Sequence, residues 1–121
     1  MPLVFQPGSE WNYSVSSDVL GRLVEVVSGQ PLDEFLGQRI LTPLGMKDTS
    51  FDTDGQNLAV LYAPQPGTRK AIRHNEFNAI GHGRPDCLSG GGGLISTAAD
   101  YHRFIQFLLR RGELDGIRLL S

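Results

Sequence analysis

The chain has 121 residues, which fits one domain, and 40% of them are hydrophobic, enough to form a core. The formal net charge is −2 with both signs scattered along the chain, which argues against nucleic acid as a partner. No apolar run approaches the about 20 residues of a membrane span, and no signal peptide is recognisable, so a cytoplasmic location is favoured.

The first predicted helix covers about residues 17–28. The run Ser16-Ser17-Asp18 offers N-cap chemistry at its start, and Gly29 is suited to end it. Helical spacing predicts one buried apolar stripe, made of Val19, Leu20, Leu23, Val24 and Val27.

A second helix is expected to open at Pro31 and to end near residue 41, ahead of Pro43. A tight apolar turn follows at residues 44–46. Residues 47–95 predict a long irregular segment with a turn at 52–55, a short helix or strand at 58–62 and a loose hairpin within 69–80. Residues 81–93 are rich in glycine and predict a loop. The whole irregular segment between the second and third helices is long for a compact domain, which usually indicates function or elements whose partners lie elsewhere.

The third helix begins after Thr97, where Thr97 and Asp100 resemble a capping box with aspartate in place of glutamate. Arg110 and Arg111 suit the last turn, and Gly112 ends the helix. A turn at residues 113–116 leads to a short apolar end. The predicted buried stripe consists of Ala98, Tyr101, Ile105, Leu108 and Leu109, widened by Phe104 and Phe107.

The most informative motif is Tyr13-Ser14. A phenol titrates near pH ~10, so tyrosine is a useful base only where lysine ammonium groups stabilise its phenolate. Ser14 lies in no Gly-x-Ser-x-Gly elbow, so we interpret it as a polar residue ahead of a helix. From the residues alone, a tyrosine near Trp11 more often has a packing role than a catalytic one. Trp11 and Phe5 could equally line an acyl pocket or belong to the hydrophobic core.

Two other features invite functional interpretations that the sequence does not favour. The glycine run at residues 90–93 lacks the Gly-Lys-Ser/Thr of a phosphate loop, so it predicts close backbone approach beside a possible cleft. The single cysteine, Cys87, and three histidines without shared spacing predict neither a metal site nor a disulfide. We interpret His74, His82 and His102 as surface or loop residues, and we expect no cofactor.

Four stretches, in order, resemble the serine β-lactamase and penicillin-binding-protein superfamily, in particular its class C β-lactamase-like branch with the family VIII carboxylesterases. These stretches are FQPGSEWNYS at residues 5–14, DVLG at 18–21 with VSG at 27–29, PLGMKDT at 43–49, and SGGGGL at 89–94 with STAAD at 96–100. ELDG at residues 113–116 is similar to the same enzymes. Each motif alone is weak, and their order across nearly the whole chain carries the resemblance.

The resemblance implies that Tyr13 is the general base of an acyl-serine mechanism. The family's Ser-x-x-Lys does not occur in this sequence, because Leu44 and Gly67 precede the two lysines at that offset, and no Lys-Thr-Gly or related third motif occurs either. We therefore expect residues 1–121 to be a single partial domain, the central portion of a longer protein. The expected fold is mainly α, with three main helices and a long irregular segment, resembling the helical domain of the β-lactamase/transpeptidase-like α+β fold.

The third position of the tyrosine motif is Val15, where the resemblance implies an asparagine in the lactamases. Valine makes no side-chain hydrogen bond, so the sequence favours a carboxylesterase-like parent acting on a small ester or lactam substrate, with Trp11, Ser14 and Val15 as weaker substrate-binding candidates. Because the nucleophile motif is missing, we expect this chain alone to be inactive. The alternative is a non-catalytic, stand-alone helical module for binding or assembly. Unpaired apolar surface also predicts self-association.

Overall fold

The structure is a computed structural model that describes residues 3–74 and 83–121. Its helices are α1 (Ser16–Ser28), α2 (Leu32–Leu36), which continues directly into a π-helical turn (Gly37–Leu41), and α3 (Ala98–Leu109). Its strands are β1 (Tyr62–Pro64), β2 (Ala71–Arg73), β3 (Glu113–Leu114) and β4 (Ile117–Arg118). Within these ranges, no helix is both long and apolar enough to cross a membrane.

The first helix is confirmed, but its predicted N-cap is wrong. Val15 occupies the N-cap position with no side-chain hydrogen bond, and both serines lie inside the helix. The Asp18 carboxylate accepts instead from the Ser89 hydroxyl, 71 residues away, so a tertiary contact replaces the local cap. Gly29 ends the helix with φ 69°, a left-handed conformation that suits glycine, and its N–H donates to the Glu25 carbonyl.

A glutamate joins the first two helices. The Glu25 carboxylate accepts from Arg22 at 2.8 Å and from the Leu32 backbone N–H at 3.1 Å, at the start of α2. The hydrogen bond from Arg22, followed by that from Leu32, lowers the pKa of Glu25 below its ordinary value of 4.5. Leu32 itself is buried. The second predicted helix, to about residue 41, is therefore confirmed, with its last turn π-helical.

The hydrophobic core lies where the turn at residues 44–46 meets α3. Its buried members are Leu44, Met46, Phe107 and Leu114, and the partly buried residues packed against it are Ile40, Leu41, Phe104 and Leu119. The Arg103 guanidinium donates to the Leu44 carbonyl and forms an ion pair with Asp115 at 2.7 Å. The core thus joins the PLGM turn, α3 and the hairpin β3–β4.

A buried carboxylate fixes the start of α3. Asp100 is 4% exposed and accepts from the Asp48 N–H at 2.7 Å and from the Thr49 hydroxyl at 2.8 Å. Thr97 caps the helix as predicted, because its hydroxyl accepts from the Asp100 N–H at 3.2 Å. The predicted return contact from the Asp100 carboxylate to the start of the helix is wrong. This carboxylate points away from the helix end and joins α3 to residues 48 and 49 through hydrogen bonds.

The long irregular segment at residues 47–95 contains more paired backbone than its composition suggests. The expected hairpin is present but displaced, since β1 pairs antiparallel with β2 and the turn lies between Pro64 and Ala71. Ser50 and Ile95 exchange backbone hydrogen bonds, so the two ends of this segment lie side by side. The part of the expected hairpin that falls on residues 75–80 lies outside the described residues.

The end of the chain forms a second hairpin around the predicted turn. Asp115 and Gly116 have φ of 51° and 80°, the pattern of a tight turn between antiparallel strands. Gly112 follows α3 with φ 81°, and a Cβ there would lie 2.4 Å from the Leu120 Cβ, so only glycine fits. Arg110 and Arg111 lie just beyond the last residue of α3 rather than in its last turn.

The predicted buried stripes are mostly exposed, contrary to expectation. On α1 the exposed apolar residues are Val19, Leu20, Leu23, Val26 and Val27. On α3 they are Tyr101, Ile105, Leu108 and Leu109, whereas Phe107 is the buried apolar residue of this helix. Helical periodicity identified apolar faces correctly, but no described part of this chain covers them.

The described residues thus contain three α-helices and a long irregular segment, as predicted. They also contain two short two-stranded sheets, which a mainly α description leaves out.

Candidate functional site

Tyr13 stands on an irregular segment immediately before α1. Its side chain is 87% exposed, and that of Trp11 is 84% exposed. The Val15 carbonyl accepts from the backbone N–H groups of Asp18 at 3.0 Å and Val19 at 3.1 Å. The backbone two residues after Tyr13 is therefore fixed to the first turn of α1, while the phenol itself faces outward.

The loop at residues 89–93, here called the glycine loop, packs its backbone directly on this first turn. A Cβ on Gly90 would lie 2.2 Å from the Ser17 carbonyl oxygen and 3.0 Å from the Gly21 Cα. A Cβ on Gly21 would lie 3.1 Å from the Gly90 backbone, a tight contact, so the loop requires glycine at position 90 and fits closely against Gly21. The prediction that this run serves close backbone approach is confirmed, and its partner is α1.

Ser89 holds the glycine loop in this position through three hydrogen bonds. Its hydroxyl donates to the Asp18 carboxylate on α1. The same oxygen accepts from the N–H groups of Gly91 and Gly92, each at 3.1 Å. One serine therefore closes the loop on itself and attaches it to the helix that follows Tyr13.

An apolar groove of about 490 Å³ runs between α1 and the glycine loop. It is lined from α1 and α2 by Ser17, Leu20, Gly21, Val24, Leu32 and Leu36, and from the facing side by Phe51 and residues 89–94. Phe51 is buried against Gly93, where a Cβ would lie 2.9 Å from the ring. The first residue that lines the groove, Ser17, lies four positions after Tyr13 in the sequence. The tyrosine segment and the groove therefore both adjoin the N-terminal end of α1.

The weaker candidates lie on the same exposed segment. Trp11, Ser14 and Val15 are all exposed, so Trp11 belongs to no core within the described part of the chain, and Phe5 is only partly buried. His102 is exposed on α3 and His74 follows β2, while His82 lies outside the described residues. The described residues contain no group of three potential metal ligands.

Two residues of this site escaped the sequence analysis as functional candidates. The sequence placed Asp18 in a helix N-cap and in the DVLG stretch, and Ser89 in the SGGGGL stretch, and 71 positions separate the two residues. Nothing in the sequence around Asp18 or around Ser89 indicates that the two side chains form a hydrogen bond with each other. The pairing is decided by the tertiary packing of the glycine loop on α1.

Comparison with known proteins identifies the family of the chain. The β-lactamase family model matches residues 1–120, so the chain belongs to the β-lactamase family. It is 40% identical over its full length to an uncharacterized protein of Mycobacterium tuberculosis, and 34% identical over 87% of its length to the esterase EstB of Burkholderia gladioli. It superimposes with a TM-score of 0.81 on simvastatin synthase from Aspergillus terreus, at 27% identity over 100% of this chain.

The chain spans only part of these relatives. It covers 30% of the Mycobacterium tuberculosis protein, 31% of the Burkholderia gladioli esterase and 30% of the simvastatin synthase chain. The resemblance to the serine β-lactamase and penicillin-binding-protein superfamily is thereby confirmed, with an esterase among the relatives. The family assignment places the fold among β-lactamase-fold proteins.

Proposed function

We propose that this chain is the central segment of a carboxylesterase-like serine hydrolase, in which Tyr13 is the general base of an acyl-serine mechanism. In the complete enzyme, the phenolate would take the proton of the nucleophilic serine as that oxygen attacks the ester carbonyl. The phenol would then return the proton to the leaving alcohol, and the cycle would repeat with water as the second nucleophile. The serine and its neighbouring lysine would come from parts of the protein outside this sequence.

The observation that carries the proposal is the exposure of the Tyr13 side chain. A tyrosine that served only packing would have its ring against the core, whereas this ring is 87% exposed beside a backbone that is fixed at Val15. Exposure within this chain leaves the phenol available to groups that the chain lacks. The family match over residues 1–120 supports the assignment of Tyr13 to the tyrosine motif.

The substrate class follows from Val15 and the groove. Val15 has no side-chain donor or acceptor for the amide of a β-lactam side chain. The groove beside α1 is lined mainly by aliphatic and aromatic side chains and by glycine backbone, which suits an apolar acyl or alcohol group. An esterase and a methylbutanoyltransferase among the relatives agree with this choice.

The test compares Tyr13→Phe with Tyr101→Phe, at an exposed tyrosine on α3, in a full-length protein that carries this segment with its serine and lysine. We expect Tyr13→Phe to lower kcat for p-nitrophenyl acetate by about 10²- to 10⁴-fold, the usual contribution of a general base. Tyr101→Phe should leave kcat within a few-fold. Equal activity of wild type and Tyr13→Phe would refute the assignment. Nitrocefin turnover that exceeds ester turnover would refute the substrate class.

The 121-residue chain alone should be inactive toward both substrates, because the general base has no nucleophile to activate. Turnover by the purified chain that disappears in Tyr13→Phe would overturn this expectation. Inactivity of the full-length protein with all three motifs present would favour the alternative, a non-catalytic binding or assembly module.

We further infer that the chain corresponds to much of the helical domain of the family fold and that, in isolation, it self-associates. Its accessible surface is 9606 Å². A compact monomer of this mass would expose about 6,400 Å². The excess, roughly 3,200 Å², is larger than the about 1,000–2,500 Å² that each partner contributes to an obligate protein interface. The exposed stripes on α1 and α3 provide its apolar part, and they would face the remainder of a longer protein or, in the isolated chain, a second copy.

A further inference from the structure

We propose that Asp18 and Ser89 are positioning residues for Tyr13, and that the glycine loop sets where the tyrosine segment stands. The proposal rests on the general-base role of Tyr13 proposed above. It extends that role to two side chains whose hydrogen bond joins the glycine loop to the first turn of α1.

The first argument is that α1 lacks the usual device that fixes a helix start. Val15 is at the N-cap with φ −84° and ψ 24° and gives no side-chain hydrogen bond. A helix without such a cap frays at its first turn, because several N–H groups there have no partner within the helix. The tyrosine segment is covalently joined to that turn, so fraying would move Tyr13.

The second argument is that the glycine loop supplies the missing restraint. Ser89 donates to Asp18 in the first turn, and Gly90 contacts the Ser17 carbonyl at a distance that only glycine permits. Gly91 lies so near that a Cβ there would be 3.3 Å from an Asp18 carboxylate oxygen. The Ser89 side chain and the glycine backbone of the loop therefore both contact the first turn of α1 and restrain it.

The third argument is the short path from this contact to the phenol. Asp18 donates its backbone N–H to the Val15 carbonyl at 3.0 Å, and only Ser14 separates Val15 from Tyr13. A displacement of Asp18 is thus transmitted through one hydrogen bond and two peptide units. General-base catalysis is sensitive to displacements of about 1 Å, so this contact is placed to control kcat.

The first experiment measures backbone amide hydrogen exchange by NMR in the 121-residue chain and needs no catalysis. We expect Ser89→Ala to raise exchange at residues 13–20 by about tenfold or more relative to α3 amides. Ser89→Thr, which keeps the hydroxyl, should restore the protection. Ser28→Ala removes a hydroxyl from the other end of α1 and serves as the matched control. Unchanged exchange at residues 13–20, or an equal rise throughout the chain, would overturn the proposal.

The second experiment uses the full-length protein and separates this proposal from the one on which it rests. Ser89→Ala and Asp18→Ala should each lower kcat for p-nitrophenyl acetate by about tenfold, because both misplace the base. KM should stay nearly unchanged in Asp18→Ala, since Asp18 does not line the groove. Ser89→Thr should recover most of kcat. If Tyr13→Phe abolishes turnover but Ser89→Ala does not lower kcat, the positioning role fails alone. If Tyr13→Phe has no effect, the general-base assignment fails, and the positioning role for catalysis fails with it.

Discussion

The two ends of this chain are stabilised in different ways. Around α3, the PLGM turn and the hairpin β3–β4, the chain buries its own apolar side chains and satisfies a buried carboxylate, Asp100, with donors from residues 48 and 49. Within α1, only Gly21 is buried, and the helix is held at its first turn and through Glu25 while its apolar face stays open. The α3 region has a core of its own within this chain, although the apolar stripe on its outer face is exposed, whereas the α1 region presents both the candidate base and an exposed apolar face.

The two regions are connected through the glycine loop. The backbone pairing of Ser50 with Ile95 fixes the end of the segment that carries residues 89–93. The loop in turn contacts the first turn of α1, where the tyrosine segment ends.

The largest expected effect contrasts the two regions directly. Phe107→Ala, in the closed core, should destabilise the chain by about 3–5 kcal/mol, since the ring is 3% exposed and its removal leaves a cavity. Leu23→Ala, on the open face of α1, should cost less than about 1 kcal/mol, because the side chain is 52% exposed. Urea unfolding of both variants measures the difference. Similar losses would show that the α1 face is covered in solution.

A smaller effect concerns association rather than folding. If the exposed apolar stripes on α1 and α3 of one copy contact those of a second copy, each substitution should shift the purified chain toward monomer. The two substitutions are Leu23→Lys and Leu108→Lys, and each places a charge in an apolar contact. Leu120→Lys is the matched control, at 51% exposure and away from both stripes. Analytical ultracentrifugation at micromolar concentration distinguishes the outcomes. A monomeric wild-type chain with a sharp melting transition would contradict the self-association.

The smallest effect is the pH dependence of the contact between α1 and α2. The folded pKa of Glu25 is lowered by Arg22 and the Leu32 N–H, so its contribution to stability is present above about pH 4.5 and is lost as the pH falls through the lowered pKa. Arg22 is largely exposed, which keeps the contribution small.

The measurement is the urea midpoint of wild type and Glu25→Gln between pH 6 and pH 3, with Glu10→Gln as a control of equal charge. The wild-type advantage over Glu25→Gln should shrink toward pH 3. An advantage that grows as the pH falls would contradict the assigned direction.

The sequence by itself determined the helices, the family and the position of Tyr13. Periodicity and the breakers Gly29, Pro43 and Gly112 act within a few residues, so they are readable without knowledge of the fold. The order of the motifs, from the tyrosine segment to STAAD, likewise needs no coordinates.

Only the tertiary structure decided which apolar faces are covered and which polar groups meet. The stripes on α1 and α3 have the same helical pattern as a buried face, yet burial depends on what packs against them, and that is not a local property. Asp18 with Ser89, and Asp100 with Thr49, join residues 71 and 51 positions apart. Their pairing follows from the approach of Gly90 to Gly21 and of the PLGM turn to α3, which long-range packing alone brings about.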